Sequence, residues 1–104
     1  MEHITTKEEL VKLLEANDKV IVDFYATWCG PCKMLAPVLE QVANEVNDVL
    51  IVKVDTDQAQ ELAYEFNVMS IPTLVFFKNK NKVAVEIGFQ GKANILENIN
   101  NYLR

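Results

Sequence analysis

Apolar residues recur at helical spacing in four stretches of this chain, and each stretch predicts a helix with one buried face. Thr6 and Glu9 have the spacing of a capping box before the first helix, and Asn94 with Glu97 has the same spacing at the start of the last helix. Asp57 is expected to cap the third, short helix. The inward-facing residues are Leu10, Leu13 and Leu14; Leu35, Val38, Leu39, Val42 and Val46; Leu62 and Phe66; and Ile95, Leu96, Ile99, Tyr102 and Leu103.

Runs of β-branched and aromatic residues between these helices predict strands. The first long run does not alternate with polar residues, so both faces of the sheet are expected to be covered. Strand–helix–strand units predict parallel neighbours with right-handed crossovers, and the turn at 78–82 predicts a closing antiparallel hairpin. The predicted fold class is therefore α/β, with a central mixed sheet flanked by helices on both faces. The predicted strands are a short one at Glu2–Ile4, then Val20–Ala26, Val49–Val54, Thr73–Phe77 and Val83–Ile87.

Length and composition limit the possible functions. The chain has 104 residues, which predicts a single domain spanning 1–104. Its net charge is −5, and the absence of a basic stripe argues against binding to nucleic acid or to anionic membranes. The first residues lack the basic start and apolar stretch of a secretory signal, and no run approaches the ~20 apolar residues of a membrane-spanning helix. We therefore expect a cytoplasmic protein.

Both cysteines lie in the run Trp28-Cys29-Gly30-Pro31-Cys32, between a predicted strand and a predicted helix. The amide groups and dipole at a helix start stabilise an anion, so the pKa of Cys29 is expected to fall. The thiolate is the form that attacks disulfides, and Cys32 is close enough to attack the resulting mixed disulfide. Gly30 and Pro31 restrain the loop between the two thiols. The pair predicts reversible dithiol–disulfide chemistry, because a reducing compartment disfavours a permanent structural disulfide.

Two other interpretations of the cysteines are weaker. A structural zinc site needs about four ligands, whereas the chain has no third cysteine and His3 is its only histidine. Two ordinary buried thiols would not account for the flanking Trp, Gly and Pro. Trp28, beside a reactive thiol, is expected to offer apolar surface to a partner rather than to fill the core. Met34 and Met69 are expected to be packing residues.

Asp23 and Lys53 each interrupt an apolar strand. Burial would raise the pKa of Asp23, and a carboxyl group near the cysteines could take the proton of Cys32 and later return it. The alternative is an inert, hydrogen-bonded carboxylate at a sheet edge. Lys53 either offsets the charge of Asp23 or faces outward from an edge strand. Pro72 is acceptable as the first residue of a strand, and its position alone does not indicate a cis bond.

Taken together, these residues resemble the thioredoxin family over essentially the whole chain. Val22–Met34 is similar to the family's active-site signature, including an aspartate six residues before the first cysteine. Ala36-Pro37 resembles the kinking proline of the following helix, which is expected to bend there. Lys53–Asp57 is similar to the lysine-containing strand end, Ser70–Leu74 to the cis-proline segment, and Gly88 to the glycine beside the site.

The resemblance implies roles for individual residues. Cys29 would be the nucleophile, Cys32 the resolving thiol, and Asp23 the proton acceptor modulated by Lys53. The bond before Pro72 would be cis. A flat apolar surface would receive a substrate strand, and its residues would be Trp28, Gly30, Pro31, Ile71, Pro72 and Gly88.

Two positions depart from the family pattern. Tyr25 stands where many members have Trp or Phe, and this change should be tolerated. Asn79-Lys80-Asn81 replaces the usual Asn-Gly turn, and a hairpin remains possible because Asn tolerates positive φ.

The implied activity is that of a monomeric protein-disulfide reductase without a bound cofactor or metal. Its partners would be target proteins with disulfides and thioredoxin reductase, a separate flavin enzyme that supplies electrons from NADPH. One alternative is an oxidising or isomerising disulfide-exchange domain, against which the Gly-Pro pair and the absence of a signal peptide argue. Another is a non-redox structural subunit with this fold.

Overall fold

Five strands and four helices alternate along the chain. The computed structural model describes residues 1–104. All the predicted helices and strands are present, with ends that differ from the predicted ones by a few residues. The elements are β1 (Glu2–His3), α1 (Lys7–Ala16), β2 (Lys19–Tyr25), α2 (Gly30–Glu45), β3 (Leu50–Asp55), α3 (Gln60–Glu65), β4 (Thr73–Lys78), β5 (Asn81–Ile87) and α4 (Lys92–Leu103).

The strands form one mixed sheet in the order β1-β3-β2-β4-β5. β1, β3 and β2 are parallel, whereas β4 is antiparallel to both β2 and β5. The prediction of parallel neighbours is confirmed for β2-α2-β3 and is wrong for β3-α3-β4. With six residues, α3 rises only about 9 Å, less than the ~20 Å length of a six-residue strand. The chain therefore re-enters the sheet at the same end at which β3 finishes. β4 then runs in the opposite direction, on the far side of β2.

A separate hydrophobic core covers each face of the sheet, as the α/β prediction requires. Val20, Val22 and Phe24 of β2 pack on the face covered by α1 and α3. Ile21 packs with apolar residues of α2 and α4 on the opposite face. Because side chains alternate along a strand, Asp23 faces the same side as Ile21. This side of the sheet lies under α2, the helix that begins at the cysteine pair.

The helix starts test three predicted caps. The capping box of α1 is confirmed: the Thr6 hydroxyl accepts a 3.2 Å hydrogen bond from the Glu9 N–H, and the Glu9 carboxylate accepts one of 3.1 Å from the Thr6 N–H. The caps expected from Asp57 and Asn94 are wrong. No side chain caps α3, which begins three residues after Asp57, and Asn94 already lies inside the first turn of α4.

α2 contains an internal proline, and a tight turn joins β4 to β5. Pro37 lies inside α2, which is helical from Gly30 to Glu45, and the expected bend at Pro37 stays a prediction. The hairpin between β4 and β5 is confirmed, and Asn79 and Lys80 at its tip have φ angles of 50° and 73°. Positive φ at both central residues is the requirement of a type I′ turn, which suits the twist of paired strands. None of the four helices is both long and apolar enough to cross a membrane.

Candidate active site

The cysteine pair lies at the N-terminus of α2. Cys29 is the N-cap residue, and its Sγ accepts a 3.2 Å hydrogen bond from the Cys32 N–H. Pro31 occupies the first turn, where its missing N–H costs no helical hydrogen bond. A disulfide joins the two cysteines, whose Cα atoms are 5.3 Å apart. The sulfur of Cys29 therefore faces the free amide groups and the positive end of the α2 dipole, as predicted.

The disulfide is almost buried beneath a small apolar cluster. Cys29 is 5% exposed and Cys32 4%, and both pack with Ala26, Tyr25 and Ile71. The Sγ atom of Cys29 lies 3.8 Å from the carbonyl oxygen of Ile71. No group of three or more His, Cys, Asp or Glu side chains is arranged to hold a metal ion.

The residues of the expected docking surface differ in exposure. A cis bond joins Ile71 to Pro72, in agreement with the resemblance. The N–H of Gly88 donates a 2.8 Å hydrogen bond to the Pro72 carbonyl, which fixes the end of β5 beside the start of β4. A Cβ on Gly30 or Gly88 would meet no other atom of the chain within 4 Å. Trp28, Gly30 and Pro31 are exposed, Ile71 and Gly88 are half-buried, and Pro72 is buried.

A groove of about 210 Å³ beside Trp28 contains residues that sequence reasoning missed. Met69 is 91% exposed, so the prediction that it packs inside is wrong, and Met34 at 60% exposed is likewise outside the core. Met69 lies in the loop between α3 and β4, where no periodicity indicates which side chains turn inward. The residues lining the groove are Trp28, Thr56, Val68, Met69, Ser70 and Ile71.

Asp23 is a buried and unpartnered carboxyl group. It lies on the central strand β2, is 1% exposed, and neither of its side-chain oxygens has a hydrogen-bond partner. Burial raises the pKa of Asp23 to about 6, and the positive charge of Lys53 limits that rise. The alternative of a hydrogen-bonded carboxylate at a sheet edge is therefore wrong. A group that titrates near neutral pH can both accept and return a proton.

Lys53 lies directly opposite Asp23 in the register of β2 and β3. β3 has neighbours on both sides, so the alternative of an edge lysine is wrong. The Lys53 ammonium sits 4.3 Å from the centre of the Tyr25 ring. The Tyr25 hydroxyl and His3 Nδ1 are in turn 3.2 Å apart. Sequence reasoning missed this arrangement of His3, Tyr25 and Lys53 because only the strand register brings the three side chains together.

Comparison with known proteins agrees with this geometry. The family model described as Thioredoxin matches residues 2–101. The chain belongs to the thioredoxin family. It is 50% identical over 97 residues to the thioredoxin of Mycoplasmoides gallisepticum, covering 93% of this chain and 97% of that one. It is 49% identical over 85 residues to the Bacillus subtilis thioredoxin, covering 81% of this chain and 82% of that one.

Solved structures agree with the family assignment. A thioredoxin from Halobacterium salinarum superposes with a TM-score of 0.93 at 37% identity, covering 99% of this chain and 90% of that one. The Fasciola hepatica thioredoxin superposes with a TM-score of 0.92 at 36% identity, covering 98% and 99%. The chain is therefore a thiol–disulfide oxidoreductase with the thioredoxin fold, and Cys29 and Cys32 are its redox-active pair.

Proposed function

We propose that this thioredoxin-family chain reduces disulfides in target proteins, with Cys29 as the nucleophile and Cys32 as the resolving thiol. The observation that supports this order is the position of Cys29 as N-cap of α2, with its sulfur on the Cys32 N–H. In the reduced protein, the same amide group and the helix dipole stabilise a thiolate on Cys29. The sulfur of Cys32, the third residue of α2, accepts no such hydrogen bond.

The proposed reaction has two exchange steps. The Cys29 thiolate attacks one sulfur of the target disulfide, which forms a mixed disulfide and releases the other target sulfur as a thiolate. Cys32 then loses its proton and attacks the Cys29 sulfur, which breaks the mixed bond and releases the second target thiolate. The target gains two electrons and the protein retains the Cys29–Cys32 disulfide. Both steps are ordinary thiol–disulfide exchange and need no bound cofactor.

Asp23 is the proposed proton acceptor for Cys32 in the second step. Its carboxyl group is buried on the face covered by α2, and burial raises its pKa to about 6. A base with a pKa near the working pH is efficient at transferring a proton in both directions. Lys53, directly opposite on β3, is the proposed modulator of this carboxyl group, because its positive charge favours the ionised form.

Target proteins are proposed to dock on the surface formed by Trp28, Gly30, Pro31, Ile71, Pro72 and Gly88. The 68% exposure of Trp28 and the open space beside both glycines support this proposal. An extended target segment can approach a backbone closely where no Cβ intervenes. The groove beside Trp28 adds the exposed side chain of Met69, whose flexible thioether suits varied partners.

The reduced form of the protein must be regenerated after each exchange. We propose that a thioredoxin reductase, a separate flavin enzyme fed by NADPH, returns two electrons to the Cys29–Cys32 disulfide. The protein would act in the cytoplasm and as a monomer, as the sequence leads us to expect. A coupled assay with NADPH, a candidate reductase and insulin tests the complete cycle. Absence of turnover with a competent reductase would contradict the recycling step.

A trapping experiment tests the order of the two cysteines. Cys32→Ser should accumulate stable mixed disulfides with target proteins, because the attacking thiol remains and the resolving thiol is gone. Cys29→Ser is the matched control and should trap none. Both adducts can be counted by non-reducing electrophoresis and mass spectrometry. Equal trapping by the two variants would contradict the assigned roles.

A redox titration against glutathione separates the reductase from the oxidising or isomerising alternative. A reducing couple supports net reduction of targets, whereas a strongly oxidising couple would reverse the proposed direction. The non-redox alternative has its own test in the double variant Cys29→Ser, Cys32→Ser. Full biological function in that variant would favour a structural role.

A further inference from the structure

Lys53 and Asp23 face each other across two strands without forming an ion pair. They are register partners on β2 and β3, and such partners point to the same face of a sheet. The four ion pairs of the protein involve other residues, and both oxygens of Asp23 lack any hydrogen-bond partner. Neighbouring strands lie about 4.8 Å apart, so the long Lys53 side chain could turn toward the Asp23 carboxyl group, yet no ion pair forms between them.

Tyr25 occupies the position to which the Lys53 side chain turns. Tyr25 follows Asp23 by two residues on β2 and therefore lies on the same face. The Lys53 ammonium is 4.3 Å from the centre of its ring, a distance typical of a cation–π contact. His3, the register partner of Lys53 on β1, lies 3.2 Å from the Tyr25 hydroxyl through its Nδ1 atom. The ring itself is half-buried against the cluster of Ala26, Cys29 and Cys32, and this packing would remain with a Phe in its place.

We propose that Tyr25 is a positioning residue whose ring holds the Lys53 ammonium away from the Asp23 carboxyl group and so keeps that group unpaired. Tyr25 is also one of the positions where the chain departs from the usual family residue. The ring, and not the hydroxyl group, makes the contact with the Lys53 ammonium. The inference rests on the proposed role of Asp23 as proton acceptor for its functional meaning, but the positioning itself does not depend on that role.

Few other charged groups face this part of the sheet. Asp55 lies opposite Tyr25 on β3. Burial raises the pKa of Tyr25, and the charges of Asp55 and Asp23 raise it further. On β4, the partner of Asp23 is Leu74, which carries no charge. On β5, the next strand, the Glu86 carboxylate accepts hydrogen bonds from the side chains of Gln90 and Tyr102. The buried residues of α2 and α4 on this face are apolar, apart from the cysteine pair.

The position of Lys53 influences how strong a base Asp23 is. Burial raises the pKa of Asp23 to about 6, and only the Lys53 charge opposes this. A direct ion pair would lower the pKa further, because an adjacent cation favours the carboxylate. A carboxylate with an ordinary pKa near 4 is a weaker base toward a thiol than one with a pKa near 6. Tyr25 would therefore maintain the basicity that the second exchange step requires.

The test is a direct titration of the Asp23 carboxyl group by carbon-13 NMR in the oxidised protein, where neither cysteine titrates. Tyr25→Phe keeps the ring and should leave the pKa of Asp23 at about 6. Tyr25→Leu removes the ring, frees Lys53 to reach Asp23, and should lower that pKa toward 4. The double variant Tyr25→Leu, Lys53→Met should bring the pKa of Asp23 back to about 6 or higher, because no cation remains to pair with its carboxylate.

The double variant separates positioning from a general loss of packing. If Tyr25→Leu merely admitted water to Asp23, the fall in pKa would persist when Lys53 is also replaced, and this result would overturn the proposal. An unchanged pKa in Tyr25→Leu, or an equal fall in Tyr25→Phe, would also overturn it. If Tyr25→Leu does not fold, as judged by circular dichroism, Tyr25→Met provides a flexible side chain without a ring for the same measurement.

The proton-acceptor role is tested separately with Asp23→Asn. Its readout is the rate at which a preformed mixed disulfide on Cys29 is resolved, followed as a function of pH. A normal rate in Asp23→Asn together with the expected pKa changes in the Tyr25 variants would contradict the proposed function of Asp23 while retaining the positioning by Tyr25. Slow resolution in Asp23→Asn with no pKa change in Tyr25→Leu would support the proton-acceptor role of Asp23 and contradict the positioning by Tyr25.

Discussion

The indole N–H of Trp28 donates a 2.8 Å hydrogen bond to the carboxylate of Asp57. This bond joins the loop before α2 to the loop after β3. The N–H of Asp57 in turn donates a 2.9 Å hydrogen bond to the Asp55 side chain, so the acceptor loop is itself fixed. Trp28 is 68% exposed and is therefore oriented by one polar contact rather than by burial. Its orientation should influence how targets dock.

Replacing Asp57 by Ala should weaken docking without affecting the exchange chemistry. The freed indole must then be ordered when a target binds. A hydrogen bond contributes about 0.5–1.5 kcal/mol, which corresponds to a rise in KM of about 2- to 13-fold. The steady-state kinetics of insulin reduction measure KM and kcat separately, and kcat should change by less than about twofold. Asp57→Asn keeps an oxygen acceptor and is the matched control. A fall in kcat at constant KM would contradict the orienting role of this bond.

The buried carboxyl group of Asp23 should reduce stability at neutral and higher pH. Burial raises its pKa from 3.8 to about 6. The folded state therefore binds the proton of Asp23 more tightly than the unfolded state does. The stability that the neutral acid contributes is complete below pH 3.8 and is lost as the pH rises through about 6. One unit of pKa corresponds to about 1.4 kcal/mol, so the cost above about pH 7 is about 3 kcal/mol.

Asp23→Asn removes this cost, because the amide stays neutral at every pH. The variant should exceed the original protein in free energy of unfolding by about 3 kcal/mol near pH 8, and the difference should vanish near pH 3.5. Urea unfolding of the oxidised proteins at a series of pH values measures the difference. Asp18→Asn, at an exposed aspartate, is the control and should change stability little at either pH. A gain that does not depend on pH would show that the charge of Asp23 is not its cause.

The sequence predicts the elements well because their signals are local. The capping box of Thr6 and Glu9 and the apolar face of α2 depend only on residues a few positions apart. The position of Cys29 at the start of a helix can be predicted for the same reason, because the residues that follow Cys29 have the apolar spacing of that helix. The caps expected from Asp57 and Asn94 fail although both residue types are suitable. The actual starts of α3 and α4 depend on how the preceding loops pack, and no local signal contains that information.

Non-local features explain the remaining differences. The direction of β4 follows from the short rise of α3 and cannot be inferred from the pattern of β4 itself. Met69 looks like a packing residue in the sequence, yet its loop turns it outward beside Trp28. The contact between Lys53 and Tyr25 depends on the register of β2 against β3, which a single residue of slip would abolish. Sequence reasoning could identify Asp23 and Lys53 as candidates but not their geometry.

Gly88 and Gly30 should respond differently to the same substitution. Gly88 has a φ angle of +93°, a region where side chains of L-amino acids are strained, so Gly88→Ala should lower the free energy of unfolding by about 1–2 kcal/mol. Gly30 is the first residue of α2, and Gly30→Ala should leave stability unchanged or raise it by up to about 1 kcal/mol. Each new methyl group would project into open space beside the protein surface. If a target lies over these glycines, the methyl groups would obstruct it, and both substitutions should raise the KM for insulin. Denaturant unfolding and steady-state kinetics measure the two effects independently. Equal destabilisation by both substitutions would contradict the assigned strain, and an unchanged KM in both would contradict the proposed docking surface.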